Sequence, residues 1–272
     1  MSSLKNLSKL IVNLKVIRTF IIFLLRRNLI LNKFKNLIQL EGFINIHEHQ
    51  IEILNDKKDA VSRDLCIFGI PATEKENFKI FNTEIKKATS FLDIGAGIGL
   101  YTLFAISLNA SASILAVEAN PKVFEVLKKN LNNFTISKTN QKLINKIVST
   151  KKSDVEFFVP MGDDFSYGTS QKILLEEKNI PFKKIIVETT DLSNFVENKY
   201  EIIKIDVEGS ELDVLKAISN HLKYCRLLFI EIMIENKEAS FNLLKNSNFK
   251  PLIESTANVG NYIFYNTDLQ RY

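Results

Sequence analysis

Two acids and three glycines stand where they could build a ligand site. Phe91-Leu92-Asp93-Ile94-Gly95-Ala96-Gly97-Ile98-Gly99-Leu100-Tyr101-Thr102 is a short apolar run that ends on an acid and breaks into Gly-x-Gly-x-Gly. A helical pattern then leads to a second apolar run, Ile114-Leu115-Ala116-Val117, which ends on Glu118, nineteen residues past the last glycine, and continues Ala119-Asn120-Pro121. Glycine removes the Cβ atoms that would obstruct a tight turn, so backbone N–H groups at a helix N-terminus can approach a ligand. A carboxylate at the tip of the next strand can accept hydrogen bonds from both hydroxyls of a ribose. The pattern is that of a nucleoside-binding half-fold.

The spacing narrows the nucleoside. Dinucleotide folds use Gly-x-Gly-x-x-Gly, whose last two glycines make room for pyrophosphate and for helix packing. Here the third glycine comes one residue early, and Asp93 stands two residues before the first. A carboxylate aimed into that loop would repel a pyrophosphate but would suit a cofactor carrying a sulfonium and an ammonium group. The expected cofactor is therefore S-adenosylmethionine rather than a nicotinamide or flavin dinucleotide. Asp93 would orient its amino end. Gly95, Ala96, Gly97 and Gly99, with Tyr101 and Thr102 beside them, would shape the methionine and ribose pocket. Glu118, Ala119 and Asn120 would take the nucleoside.

A second constellation is Ile202-Ile203-Lys204-Ile205-Asp206-Val207-Glu208-Gly209-Ser210-Glu211, a buried-type strand with a lysine, two acids two apart, and a glycine opening a helix. In open α/β sheets ligands gather at the carboxyl ends of strands, where Asp206 and Glu208 are expected. They are the catalytic candidates: a carboxylate there can take the proton of a substrate hydroxyl or help hold a divalent metal. The competing role is capping of the helix, worth about 0.3–1 kcal/mol. Lys204 is expected to be a salt-bridge partner of a neighbouring acid. No metal site is assigned: His47 and His49 share one strand face, but the sequence identifies no third ligand for them.

These motifs must be positioned by alternating strands and helices. Strands are expected at residues 90–94, 113–117, 142–148, 185–188, 202–206, 227–231 and 262–265. Helices are expected at 74–87, 100–108, 121–133, 191–196, 210–222 and 237–246, and Pro121 fits a first helical position. Repeated βα units give a parallel sheet with helices on both faces. Strand-like runs at 42–54 and 65–70, separated by Asn55-Asp56-Lys57-Lys58-Asp59, predict a β-hairpin before the core. Residues 155–160 are hairpin-like, and a Gly- and Asp-bearing loop follows at 161–170.

The paired motifs, with Val117-Glu118-Ala119-Asn120-Pro121, Thr190-Asp191-Leu192 and Phe229-Ile230-Glu231-Ile232, resemble the FkbM-type S-adenosylmethionine-dependent methyltransferases over roughly residues 65–265. The resemblance implies a Rossmann-like α/β domain of seven strands, mostly parallel with the last antiparallel. It also implies an O-methyltransferase acting on a hydroxyl of a sugar, a glycan or glycolipid, or a natural product. At Thr169-Ser170 relatives tend to carry a longer serine run.

The 272 residues suffice for one sizeable α/β core with an appendage. Residues 1–40 hold eight basic side chains (Lys5, Lys9, Lys15, Arg18, Arg26, Arg27, Lys33, Lys35) and no acid, leaving 28 basic against 31 acidic residues elsewhere. The basic balance thus describes residues 1–41, read as an amphipathic helical arm before a methyltransferase domain at 42–272, and no nucleic-acid partner is expected. The arm's stripe (Leu7, Leu10, Ile11, Leu14, Ile17, Ile21, Leu24, then Ile30, Phe34, Leu37, Ile38) fits two partners. One is the domain itself or a second subunit. The other is an anionic membrane surface, since the longest uncharged apolar run, residues 19–25, is far short of the roughly 20 needed to span a bilayer. Cys66 and Cys225 lie in apolar strand-like runs and read as buried reduced thiols of a cytoplasmic protein, which a membrane-binding arm would hold at the inner face of the membrane. Two other functions remain open: a dinucleotide-dependent oxidoreductase, disfavoured by the glycine spacing, and an inactive cofactor-binding module that recruits a partner or membrane through the arm.

Overall fold

A computed structural model describes residues 15–27, 29–30, 42–46, 51–55, 60–70, 74–133, 140–161, 168–177, 179–195, 199–253 and 259–269. His47 and His49, the arm before residue 15 and its second stripe from Phe34 on lie outside them. The chain divides into two compact units, residues 1–73 and 74–272.

The first unit holds helix α1 (Lys15–Arg26), strands β1 (Gly42–Ile46) and β2 (Ile51–Asn55), and helix α2 (Ala60–Phe68). Leu25 of α1 and Ile67 of α2 are fully buried together, with Ile21, Ile22 and Ile30 packed around them. Phe20 and Phe23 stay exposed. β1 and β2 pair antiparallel, Phe43 opposite Leu54 and Ile44 opposite Ile53. This corrects the expected strand at 65–70: that stretch is the end of α2, so Cys66 sits on a helix, and the hairpin lies wholly within 42–55. A four-residue apolar run reads alike as a buried strand or a buried helix. Here α2 is flanked by α1 and by the hairpin.

The second unit runs α3 (Lys75–Ile85), β3 (Ser90–Ile94), α4 (Leu100–Leu108), β4 (Ser113–Val117), α5 (Pro121–Asn133), β5 (Gln141–Ile144), β6 (Ile147–Val148) and β7 (Val155–Pro160). It continues through α6 (Lys172–Glu177), β8 (Phe182–Val187), β9 (Thr189–Thr190), a 3-10 turn (Ser193–Phe195) and β10 (Ile202–Ile205). It ends with α7 (Glu211–Ala217), α8 (Ser219–Leu222), β11 (Leu227–Met233), α9 (Ile234–Asn246), β12 (Phe249–Ile253) and β13 (Val259–Asn266). Seven strands form one sheet in the order β12-β13-β11-β10-β3-β4-β5. The last strand, β13, is antiparallel to both neighbours, and the other pairings are parallel. From β3 the chain moves outward to β4 and β5, then returns to β10 on the other side. That reversal is the topological switch point, where α/β sheets open a crevice.

One sheet face packs Leu92, Leu115, Ile203 and Leu228 against Val214 and Leu215 of α7. The other carries an aromatic cluster around Phe81, whose ring lies 5.1 Å from Phe91, 4.9 Å from Tyr101 and 5.7 Å from Phe229. β6 pairs with β9, and β7 with β8, outside the main sheet.

Three further expectations are corrected. The strand at 142–148 is two strands, because Asn145 turns away to donate to the carbonyls of Glu118 and Ala119, at 2.7 and 3.0 Å. The helix at 191–196 is only a 3-10 turn among the described residues; Asp191 accepts from the Ser193 N–H at 3.0 Å, a local turn that competes with a helix. The helix at 210–222 is interrupted at Ile218.

Phe81 is fully buried at the centre of its cluster. Phe81→Ala should cost about 3–5 kcal/mol of unfolding free energy in a denaturant titration of the full chain. A loss within ordinary surface-substitution scatter would contradict this packing.

Candidate active site

The glycine segment leaves β3 and enters α4 with Gly99 as its N-cap. Gly95 must lack a side chain, since a Cβ there would overlap the carbonyl oxygen of Asp206. Gly97 has φ +57 and open space where its Cβ would be, so its backbone borders a free volume. The loop is stitched to its neighbours by backbone bonds. Gly95 N–H and Ala96 N–H donate to the Val117 carbonyl at 2.9 and 3.0 Å, and Asp206 N–H donates to the Ile94 carbonyl at 3.0 Å.

Glu118 stands at the tip of β4 beside this loop. Its two oxygens accept from Gly97 N–H at 2.9 Å and from Asn120 N–H at 2.7 Å. Burial pushes its carboxyl up to about 7, against the pull of those two N–H groups. Asn120 is buried, and its side-chain oxygen accepts from Lys122 N–H at 3.1 Å as α5 begins. Ala119 packs with Ile147 against Phe157 and Val159. Asp93 is buried. One of its oxygens accepts from the buried Thr102 hydroxyl at 2.6 Å, while Oδ1 has no hydrogen-bond partner among the described residues. Desolvation raises its carboxyl above the usual range, opposed chiefly by Lys204. The structure thus gathers Asp93, Gly95, Ala96, Gly97, Gly99, Thr102, Glu118, Ala119 and Asn120 at the ends of β3 and β4.

At the end of β10, Lys204 is the expected salt-bridge partner: its Nζ lies 3.0 Å from Asp206 Oδ2. It also stands 4.9 Å from the Tyr101 ring centroid. Burial disfavours the Lys204 ammonium, yet Asp206 and Asp93 overcome that and hold its proton more tightly than usual. Tyr101 donates to Glu74 at 2.8 Å, which also accepts from Asn261 at 2.8 Å. Tyr101 therefore faces the β10 end and Glu74. Glu208 has φ +49, a left-handed conformation that costs a non-glycine residue, and its carbonyl accepts from Thr169 Oγ1 at 2.9 Å. Among the described residues no three His, Cys, Asp or Glu side chains are grouped to hold a metal ion.

Sequence reasoning gave no role to Glu231. β10 and β11 are parallel with Ile205 opposite Ile230, so Asp206, just past the end of β10, falls beside Glu231 within β11. Burial, then the negative charges of Asp206 and Glu208, pushes the Glu231 carboxyl up to about 8. The available signal was its place after four apolar residues, Leu227 to Ile230, in the strand pattern that follows the second motif. Asn145, which fixes the backbone beneath Glu118, had no sequence signal.

Residues 93–260, more than half of the chain, match the family described as the Methyltransferase FkbM domain. The chain belongs to that family. Among curated relatives of this methyltransferase is "Methyltransferase 1" of Beauveria bassiana, 24% identical over 189 residues that cover 60% of this chain and 76% of that protein. Another is the "Hexuronic acid methyltransferase AglP" of Haloferax volcanii, 25% identical over 162 residues that cover 58% of this chain and 62% of that protein. The chain therefore spans less than two thirds of the latter's length. A solved methyltransferase FkbM from Methylobacillus flagellatus KT is 12% identical, with TM-score 0.45, over 65% of this chain and 43% of its own.

A carbon-13 titration of the Glu231 carboxyl should have its midpoint near 8 and move lower in Asp206→Asn, which removes a neighbouring negative charge. A midpoint in the ordinary carboxylate range would contradict the described surroundings.

Proposed function

We propose that this methyltransferase uses S-adenosylmethionine to O-methylate a hydroxyl of a small molecule or glycan, with a sugar as the acceptor. The observation that carries the cofactor reading is Glu118. Its carboxylate is fastened by Gly97 and Asn120 N–H groups beside the open volume at Gly97, and each oxygen keeps a lone pair for a ribose hydroxyl. Asp93 Oδ1, buried and without a partner among the described residues, is a second reserved acceptor, suited to an ammonium group. Both are what this cofactor requires, and a buried carboxylate at Asp93 would repel a pyrophosphate.

The cofactor, when bound, supplies an electrophilic methyl group on a positively charged sulfur. The remaining work belongs to the chain. Glu118 and Asp93 fix the two polar ends. Asp206, one oxygen held by Lys204, accepts the acceptor hydroxyl's proton with the other. Glu231, adjacent across the sheet and protonated at neutral pH, adds no competing negative charge beside Asp206. The relative named for a hexuronic acid supports a sugar acceptor.

Transfer of isotopically labelled methyl groups to purified glycans tests the whole reading; label found only on protein or nucleic acid would overturn it. Asp206→Asn should keep cofactor affinity and lower turnover by about 100-fold or more. Should affinity fall in step with turnover, Asp206 belongs to the cofactor site. The Glu118 carboxyl at about 7 adds a pH signature. A protonated acid cannot accept from both ribose hydroxyls, so affinity should drop by about tenfold from pH 8 to pH 6. In Glu118→Gln binding should be weaker and flat across that range. A pH-independent parent would remove Glu118 from the ribose.

A further inference from the structure

A cavity of about 420 Å³, within the ordinary range for small-ligand sites, opens beside the cradle. Its lining adjoins the candidate site in sequence and packing at two places. Gly209 and Ser210, on the loop that carries Asp206 and Glu208, form one wall. Ile147, which packs against the same Phe157–Val159 cluster as Ala119 beside Glu118, lies in the other.

The lining has a definite chemical bias. Gln171 and Asn236 both spend their amide N–H groups on the Gly209 carbonyl, and Asn236 also donates to Glu211. Among the described residues nothing donates to their carbonyl oxygens, which suit the hydroxyl donors of a polyol. Ser170 and Ser210 are paired with each other at 2.5 Å, so each keeps lone pairs. Asp213, the acid among the described lining residues, is already satisfied: Ser149 and Thr150 hydroxyls donate to it at 2.6 and 2.5 Å. Burial works against its charge, but those bonds and Lys151 hold its carboxyl below the usual range. Lys151 and Lys216 also line the cavity, and among the described residues neither ammonium has an ion-pair partner within 4.0 Å. Spare acceptors with two exposed cations, of which Lys151 also balances the Asp213 carboxylate and Lys216 stands apart from it, fit a polyol that also carries negative charge.

Resting on the methyltransferase reading above, we propose that this cavity is the acceptor site and that Lys151 and Lys216 select a sugar bearing an anionic group, a carboxylate or a phosphate. The hydroxyls and amides hold the ring, and the ammonium groups hold the anion. Because both lysines are exposed, the discrimination should weaken with added salt.

The test uses the full chain and four titrations by calorimetry or ligand-observed NMR: S-adenosylmethionine, glucuronate, glucose 6-phosphate and glucose. At least one acidic sugar should bind tenfold or more tightly than glucose. That margin should vanish in the Lys151→Gln/Lys216→Gln double variant, whose S-adenosylmethionine affinity should be unchanged. Preference for glucuronate assigns a carboxylate, and preference for glucose 6-phosphate a phosphate. Equal binding of all three sugars, binding of none, or an acid preference that survives the double substitution overturns the proposal while leaving the cofactor reading intact. Failure of S-adenosylmethionine to bind the parent chain would instead sink the methyltransferase reading itself. Single substitutions Lys151→Met and Lys216→Met, at exposed positions, guard against a double variant that does not fold.

Discussion

The backbone leaving β3 runs so close to the Asp206 carbonyl that no side chain fits at residue 95. That closeness joins the two halves of the site. Strands β4, β3 and β10 end within one hydrogen-bonded seam: Gly95 and Ala96 N–H on the Val117 carbonyl, Asp206 N–H on the Ile94 carbonyl. Glu118, at the end of the first strand of that seam, and Asp206, at the end of the last, are thereby held at fixed positions on rigid elements. A site assembled from strand ends rather than free loops needs little reorganisation to receive its ligand.

Charge is arranged along the same edge. Lys204 pairs with Asp93 across β3 and with Phe229 across β11 in the sheet register, so its ammonium rises between two acids above an aromatic floor. For Lys204 attraction to Asp206 and Asp93 wins over desolvation. For Glu231 desolvation and like charge win over the same lysine. The two outcomes are consistent, because a buried carboxylate with two acidic neighbours has more to lose from ionising than a lysine between two carboxylates. At neutral pH the edge therefore holds one firm ion pair and one protonated carboxyl, instead of a run of repelling negative charges.

The local parts of this arrangement were legible in the sequence. β3, α4, β4 and α5 begin and end where the glycines, Pro121 and two buried runs place them, and the Lys204–Asp206 pair follows from two positions on one strand face. Residues 65–68 were not legible, since an apolar stretch that short has no period, and only burial between α1 and the hairpin makes it helical. Asn145 broke an apparent strand through a side-chain bond to a segment 26 residues earlier. Glu231 gains its character only when β11 lies beside β10. The cavity, too, is walled by residues near 147–155, 170–171, 209–216 and 236, which no linear pattern associates.

The central claim is that the seam between Gly95 and Asp206, with Glu118 beside it, is a cradle for S-adenosylmethionine. Calorimetric titration of the full chain with S-adenosylmethionine and, separately, with NAD tests it most directly. A saturable one-to-one isotherm with S-adenosylmethionine and no measurable heat of binding with NAD are expected. Saturable binding of NAD with none of S-adenosylmethionine would contradict it.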